Sequence, residues 1–357
     1  MKILDKYILK RFLFTFFFVV ILIVSIIVVI DYTEKNEDFV KLTFGYVVTE
    51  YYLNFIPYIT NMISPLMIFI AAVFVTSRMS AHTEIVAILS AGVSFRRILV
   101  PFIIGSTFIG LISFYFGGWV IPKANKTRVA FENEYTRHQF NYEGKNIHFK
   151  VAPNTYAYFF AYNNQLNQGY QFSLETIEGT KLKSKLKSDK ITWDTTKLKW
   201  KIENYTIRTI MDNGKEKMTQ GFLIDSSINV SPQDFQSNYL LYETFNMGEL
   251  EDYIKLMRER GSESVEVYLT EKYERYTYPF SMVILTVIGV IVSAKKSREG
   301  TGYKIAFGFV LAFVYIIFVM MSRNLSYLGG VGPLLASWIP NIIFSGIGYV
   351  MYRSIPK

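Results

Sequence analysis

Apolar positions along the chain fall into six long blocks and one alternating block. Residues 12–30, 51–77, 98–121, 276–294 and 305–322 contain no charge, and a sixth block lies inside the charge-free stretch 324–352. An α-helix rises 1.5 Å per residue and a bilayer's hydrocarbon core is about 30 Å thick, so a run of about 20 such residues is long enough to cross it. The pattern predicts six membrane spans, three before and three after a polar middle. Buried helices of a large soluble protein would be the competing source of such blocks. Six of them, with 51% hydrophobic residues overall, weigh against it.

The middle changes period. In KLKWKIENYTIRTI (197–210), Leu198, Trp200 and Ile202 alternate with Lys197, Lys199, Lys201 and Glu203, which places an apolar set on one face of a strand and charges on the other. Further strands are expected over 145–153, 155–162, 170–179 and 181–188, separated by Asn163 with Asn164, Gly179, and Asn213 with Gly214. Short strands at this spacing predict a sandwich or an open jelly roll. MGELEDYIKLMRERG (247–261) then reads as an amphipathic helix stopped by Gly261. The expected fold class is therefore an α+β membrane protein. Residues 1–122 hold three spans with a connecting helix at 80–92, residues 123–262 the β-domain, and residues 263–357 three more spans.

The stretch SRMSAHTEIVAILSAGVSFRRIL (77–99), between spans two and three, is helical in pattern but too polar for lipid. Ser80 or Thr83 can cap its start, Gly92 can end it in a left-handed conformation, and Ser94 can cap the next span. Glu84, Ala87, Ile88 and Ala91 share one face, with Gly92 at its end. Small residues around one carboxylate suit a socket into which a partner fits; a helix lying among lipid headgroups is the alternative.

Charge adds an orientation. The net charge of +9 invites a nucleic-acid reading, but its distribution argues for a membrane. If both termini are cytoplasmic, residues 1–11, 78–97, 295–304 and 353–357 face the cytoplasm. They hold thirteen Lys or Arg against Asp5, Glu84 and Glu299. The loop 31–50 has five acids against Lys35 and Lys41, and residues 123–275 are nearly balanced at 22 bases and 21 acids. The positive-inside rule then places the β-domain outside the cytoplasm. The first apolar run is too long for a removable signal peptide and lacks a small-residue cleavage site.

Catalytic patterns are sparse. Cysteine is absent, so there is neither a disulfide nor a thiolate metal site. His82, His138 and His148 are scattered with no HExxH, and the GK pairs at Gly144 and Gly214 lack the upstream glycine of a phosphate-binding loop. No catalytic residue, metal site or chain-bound cofactor is expected.

Several segments together carry a resemblance. LDKYILKRFL at the start, TEIVAILSAGVS in the connecting helix, GGWVIP at the end of span three and ITWDTTKLKWKIENYTI in the β-domain are followed by MGELEDYI, EKYERYTYPFS, KKSREGTGYKIAFGF and LASWIPNIIFSGIGYVMYR. In order and spacing, over essentially the whole chain, the sequence resembles the LptF/LptG permeases of the lipopolysaccharide export transporter. The resemblance implies a permease and not an enzyme. It implies an LptF and LptG pair in the inner membrane of a Gram-negative bacterium, driven by two copies of the cytosolic ATPase LptB. Lipopolysaccharide would pass through periplasmic jelly rolls to LptC and a periplasmic bridge, with ATP bound only by the ATPase. Glu84 matches the carboxylate of the family's coupling helix. Spans one and five would form the lateral gate, at Phe16 to Ile30 and Ile305 to Met320.

Where some LptG sequences carry adjacent lysines after span one, this chain has Glu34 then Lys35, so Lys35 is the matched headgroup base and Lys41 a neighbour. Asp31 and Glu34 orient Lys35, or bind divalent cations that bridge to phosphates, or belong to a solvated acidic surface. The first residues and this segment look more like LptG than LptF. Phe149, Val151, Trp200 and Ile202 are candidates for an acyl-chain path, with a closed core as the default for any one of them. Two other classes stay open: a membrane-embedded enzyme acting on an envelope glycan or lipid, and the permease of an ATP-driven system that transmits force without moving lipid.

Overall fold

The computed structural model describes residues 2–136, 146–211, 214–235, 240–260, 265–294 and 301–353. Expectations placed on His138, Gly144, Asn213, Gly261, Lys295, Lys296, Arg298, Glu299 and Lys357 lie outside these residues. The chain forms two compact units. One comprises Met1–Glu132, Tyr242–Glu251 and Glu266–Lys357; the other comprises Asn133–Leu241 and Asp252–Val265.

Among the described residues, six helices are long and apolar enough to cross a membrane: Ile3–Glu34, Phe44–Ala81, Phe95–Thr136, Val265–Ala294, Ala306–Tyr327 and Pro333–Arg353. The first four extend well beyond their charge-free blocks. Freedom from charge marks only the stretch that hydrocarbon tolerates, whereas backbone hydrogen bonding carries the helix on into polar sequence. Span two opens with π-helical turns at Val47–Tyr52, and span three carries them at Phe116–Val120 and Glu132–Thr136. Span one buries Ile8, Phe12, Phe16, Val20 and Val24, a stripe at every fourth residue, while Phe14, Phe18 and Ile21 remain exposed as lipid-facing positions. Gly105 of span three meets that stripe so closely that a Cβ would lie 2.9 Å from both Leu9 and Phe12, so the two helices approach through the absence of a side chain. A second core joins Phe69 and Val73 of span two to Leu285, Ile288, Tyr315 and Phe344.

Several polar groups inside the first unit are paired with one another. Tyr315 donates to Asn341 Oδ1 at 2.9 Å, Asn341 donates to the Thr277 carbonyl at 3.2 Å, and Arg323 makes two hydrogen bonds to Glu274. Such pairing is what hydrocarbon demands of a buried polar side chain.

Between spans two and three the helix is shorter than expected, covering Glu84–Ser90. Ser80 does not cap it: that residue lies in the last turn of span two, and its hydroxyl donates to the Ala294 carbonyl at 3.2 Å. Thr83 occupies the cap position with φ of 60°, but its hydroxyl donates to the His82 carbonyl and caps nothing. Ser94 precedes span three, also without a side-chain cap. Gly92 does adopt the left-handed conformation, at φ of 80°.

The second unit is an antiparallel β-domain inserted between spans three and four. Its strands are β1 (Ile147–Ala152), β2 (Thr155–Phe159), β3 (Ala161–Asn163), β4 (Gln168–Glu178), β5 (Lys181–Asp194), β6 (Lys199–Ile210) and β7 (Glu216–Ser226). They form one sheet in the order β1-β2-β4-β5-β6-β7, with β3 beside β4. Glu178 pairs with Lys181 across a two-residue turn whose Gly179 has φ of 62°, a conformation glycine adopts without a Cβ penalty. One expectation needs correction. Leu198 lies outside the strand, exposed at φ of 52° in a turn where Asp194 accepts hydrogen bonds from Thr196 and Lys197. β7 is not among the expected strands, because most of its residues are exposed and its sequence carries no buried alternate face. The core gathers Phe159, Phe172, Ile191, Trp200, Ile202 and Phe235.

The amphipathic helix is present at Met247–Glu259. Asn246 caps it, accepting from the amides of Gly248 and Glu249 at 2.9 and 3.0 Å, while its own amide donates to the Glu249 carboxylate at 3.0 Å.

Candidate functional site

On the side of the membrane unit that carries its N-terminus, the connecting helix is tied to span one. Arg11 donates to both Glu84 oxygens at 3.2 and 3.3 Å, Tyr7 donates to one of them at 3.1 Å, and the guanidinium lies 4.2 Å above the Tyr7 ring. Ile85 is buried and seats the helix. Ala87, Ala91 and Gly92 are exposed, Ile88 is half-buried, and Val86 adds an apolar exposed position that the sequence did not single out. Next to this contact Asp5 is buried, accepting from the Lys2 amide at 2.7 Å and from Arg97 of span three at 2.5 Å. A signal for these pairs was available. Asp5 and Glu84 are two of only three acids among the thirteen bases of the basic segments, and isolated carboxylates in such surroundings have ready partners.

At the opposite end of span one, Lys35 turns inward. Its Nζ lies 2.8 Å from Asp31 Oδ1 and 3.7 Å from Glu132, donates to the Tyr51 hydroxyl, and sits 4.5 Å from the Tyr51 ring centroid. Tyr51 and Tyr52 also donate to Asp31, at 3.0 and 3.2 Å. Asp31 thus pairs with Lys35, whereas Glu34 and Lys41 are exposed outside this group.

A second buried polar group adjoins it through Glu132. Arg128 is 3% exposed and donates Nε to Asn125 Oδ1 at 3.0 Å, Nη1 to Glu132 at 3.1 Å and Nη2 to Glu243 at 2.8 Å. Its guanidinium carbon stands 4.1 Å over the Tyr58 ring, and Tyr58 donates to Glu243 at 3.1 Å. Glu243 lines a cavity of about 160 Å³ together with Glu271, Glu274, Arg275 and Arg323. None of this was anticipated, because Arg128 and Glu243 lie 115 residues apart.

Within the β-domain, Trp200 and Ile202 are fully buried, and Phe149 and Val151 pack against the same core. Trp200 donates its indole N–H to the Val230 carbonyl at 2.6 Å. The four residues are thus brought together, in a core that is closed around Trp200 and Ile202 and half-exposed at Phe149 and Val151. Among the described residues no group of three or more His, Asp or Glu is arranged to hold a metal ion.

A family model described as lipopolysaccharide export system permease LptF/LptG matches residues 6–354, nearly the whole chain. That description joins both members, so it does not divide the leaning toward LptG from LptF. The search of curated proteins returned no match.

Proposed function

The chain belongs to the LptF/LptG family of lipopolysaccharide export permeases, and from that premise we propose that it is one permease subunit of an ATP-driven transporter that extracts lipopolysaccharide from the inner membrane. The family match over residues 6–354 carries this reading, supported by six spans and an inserted antiparallel β-domain.

In this reading a paralogous permease subunit completes the membrane pore, and the termini, the helix Glu84–Ser90 and the basic segments face the cytoplasm. The exposed face of Val86, Ala87 and Ala91 receives a groove of the cytosolic ATPase LptB. Glu84, held by Arg11 and Tyr7, passes movement of that helix to span one, the gate helix. Lipopolysaccharide enters between spans one and five. Lys41 meets its phosphates as an exposed point charge, and Lys35 does so by exchanging its carboxylate partners for a phosphate. The acyl chains then follow the apolar interior that Phe149 and Val151 border, with Trp200 and Ile202 uncovered when the sheet opens, toward LptC and a periplasmic bridge.

The test is purification of the chain co-expressed with the gene products encoded beside it. Recovery of bound lipopolysaccharide with a stoichiometric ATPase is the expected result. An ATPase without lipid, releasing mechanical work to periplasmic proteins, would replace the lipid-export reading with a force-transmitting permease. Turnover of an envelope glycan or lipid by the chain alone would replace it with an enzyme.

A further inference from the structure

The segment Tyr242–Glu251 belongs to the membrane unit and is held there by side chains from the ends of its spans. Arg275 donates to the carbonyls of Phe245 and Tyr242 at 2.7 and 3.0 Å, and Asn125 donates to the carbonyl of Glu243 at 3.2 Å. Lys126 pairs with Glu249 at 2.7 Å. Arg128 is the common point. One guanidinium grips Glu132, at the last residue of the outgoing chain within this unit, and Glu243, at the second residue of the returning chain. The strap and the end of span three are thus stapled through a single buried cation.

The two carboxylates differ in their surroundings. Glu243 faces Arg128 and Asn125 from span three and Tyr58 from span two. Span four presents Glu271, Glu274 and Arg275 to the same cavity, and span five presents Arg323. The two further arginines are already committed: Arg275 to Glu271 at 2.9 Å, and Arg323 to Glu274. Burial raises the Glu243 carboxyl from the ordinary carboxylate range to about 7. Arg128 opposes that rise most strongly, Glu271 adds to it, and the Tyr58 hydrogen bond and Arg323 oppose it. Among the strap's other ionisable groups, the Tyr242 phenol is pushed up by burial, and Glu249 is held low by its hydrogen bonds from Lys126 and the Asn246 amide.

We infer that Glu243 is a proton-binding site whose occupancy sets how firmly the strap Tyr242–Glu251 is held against the ends of the spans. The proton taken up is solvent's, reaching the carboxyl through the cavity. Protonation relieves the cost of a buried charge beside Glu271 and leaves Arg128 its charged bond to Glu132. A group whose folded value is raised contributes stability that is fully present below its unfolded value and is lost as pH rises through the folded one. The strap therefore tightens as pH falls from above neutrality.

Hydrogen exchange of peptides covering 242–251, corrected for intrinsic rates, tests this on the full chain in lipid nanodiscs without any transport assay. Protection is expected to be roughly tenfold greater at about pH 6 than at about pH 8, the ratio that follows when a carboxyl near 4.5 in the released strap reaches about 7 in the held one. Glu243→Gln should abolish the dependence and keep the strap protected at the higher pH, while core peptides of spans two and four serve as the reference for global effects. Equal corrected protection of the unmodified chain at the two pH values would overturn the inference. So would an unchanged dependence in Glu243→Gln.

Discussion

Glu84→Lys is expected to abolish export by uncoupling the chain from its ATPase. The substitution acts twice. It places a cation beside Arg11, where a carboxylate now accepts two hydrogen bonds, and it reverses the charge that the connecting helix presents to a partner. Removing one member of a desolvated charged contact costs on the order of 2 to 5 kcal/mol, which corresponds to a loss of affinity of about thirtyfold or more. Glu84→Ala, which removes attraction without adding repulsion, should lose less. Arg11→Gln separates the two roles, because it leaves the carboxylate on the helix and cuts its link to span one. Its expected phenotype is an ATPase that still co-purifies and hydrolyses ATP while export falls. Normal recruitment and export in Glu84→Lys would remove the docking role of this helix.

Trp200→Ala is expected to destabilise the β-domain by about 3 to 5 kcal/mol, the range for deleting a large aromatic from a packed core. The indole is fully buried, with Trp193, Phe159 and Phe235 at ring distances of 5.1, 5.9 and 6.4 Å, and it satisfies the Val230 carbonyl. Domains of this size are stable by only about 5 to 15 kcal/mol, so the loss is a large fraction of the total. Pulse proteolysis of the β-domain in the full chain measures it, with Trp200→Phe falling between the two. A loss below about 1 kcal/mol would mean that Trp200 fills a groove and not a core.

The membrane part of this fold is legible because hydrocarbon rejects charge, so Phe12 to Ile30 and its counterparts stand out in the residue order. Helix ends are less so. The turns at Val47–Tyr52 and Glu132–Thr136 carry acids, Glu50 in one and Glu132 and Glu134 in the other, and partners such as Asp31 for Tyr51 and Tyr52, and Arg128 for Glu132, become visible only in three dimensions. In the β-domain, alternation marked Trp200 and Ile202 correctly, while Leu198 kept the same period and fell in the turn, because Asp194 draws the following amides around its carboxylate. The site divides along the same line. Glu84 was found through its helix, but Arg11 is 73 residues away, and nothing local announces the pair. The Lys35 pair with Asp31 is legible, because four residues is the spacing at which a helix brings opposite charges together, whereas Glu132 and Tyr51 beside Lys35 are visible only in three dimensions. Local pattern identified the elements; long-range ion pairs decided what they present.

The proposed passage of lipopolysaccharide from the spans through the β-domain depends on ATP hydrolysis. Its most direct test places a photo-crosslinking residue at Phe149 or Val151, with a control at Phe18 on the exposed face of span one, in proteoliposomes containing lipopolysaccharide, the partner permease and the ATPase. A lipopolysaccharide adduct is expected at Phe18 with or without ATP, and adducts are expected at Phe149 and Val151 that form with ATP and disappear with a non-hydrolysable analogue. Capture at Phe18 with none at either β-domain position under hydrolysis, in protein whose β-domain resists proteolysis, would contradict it.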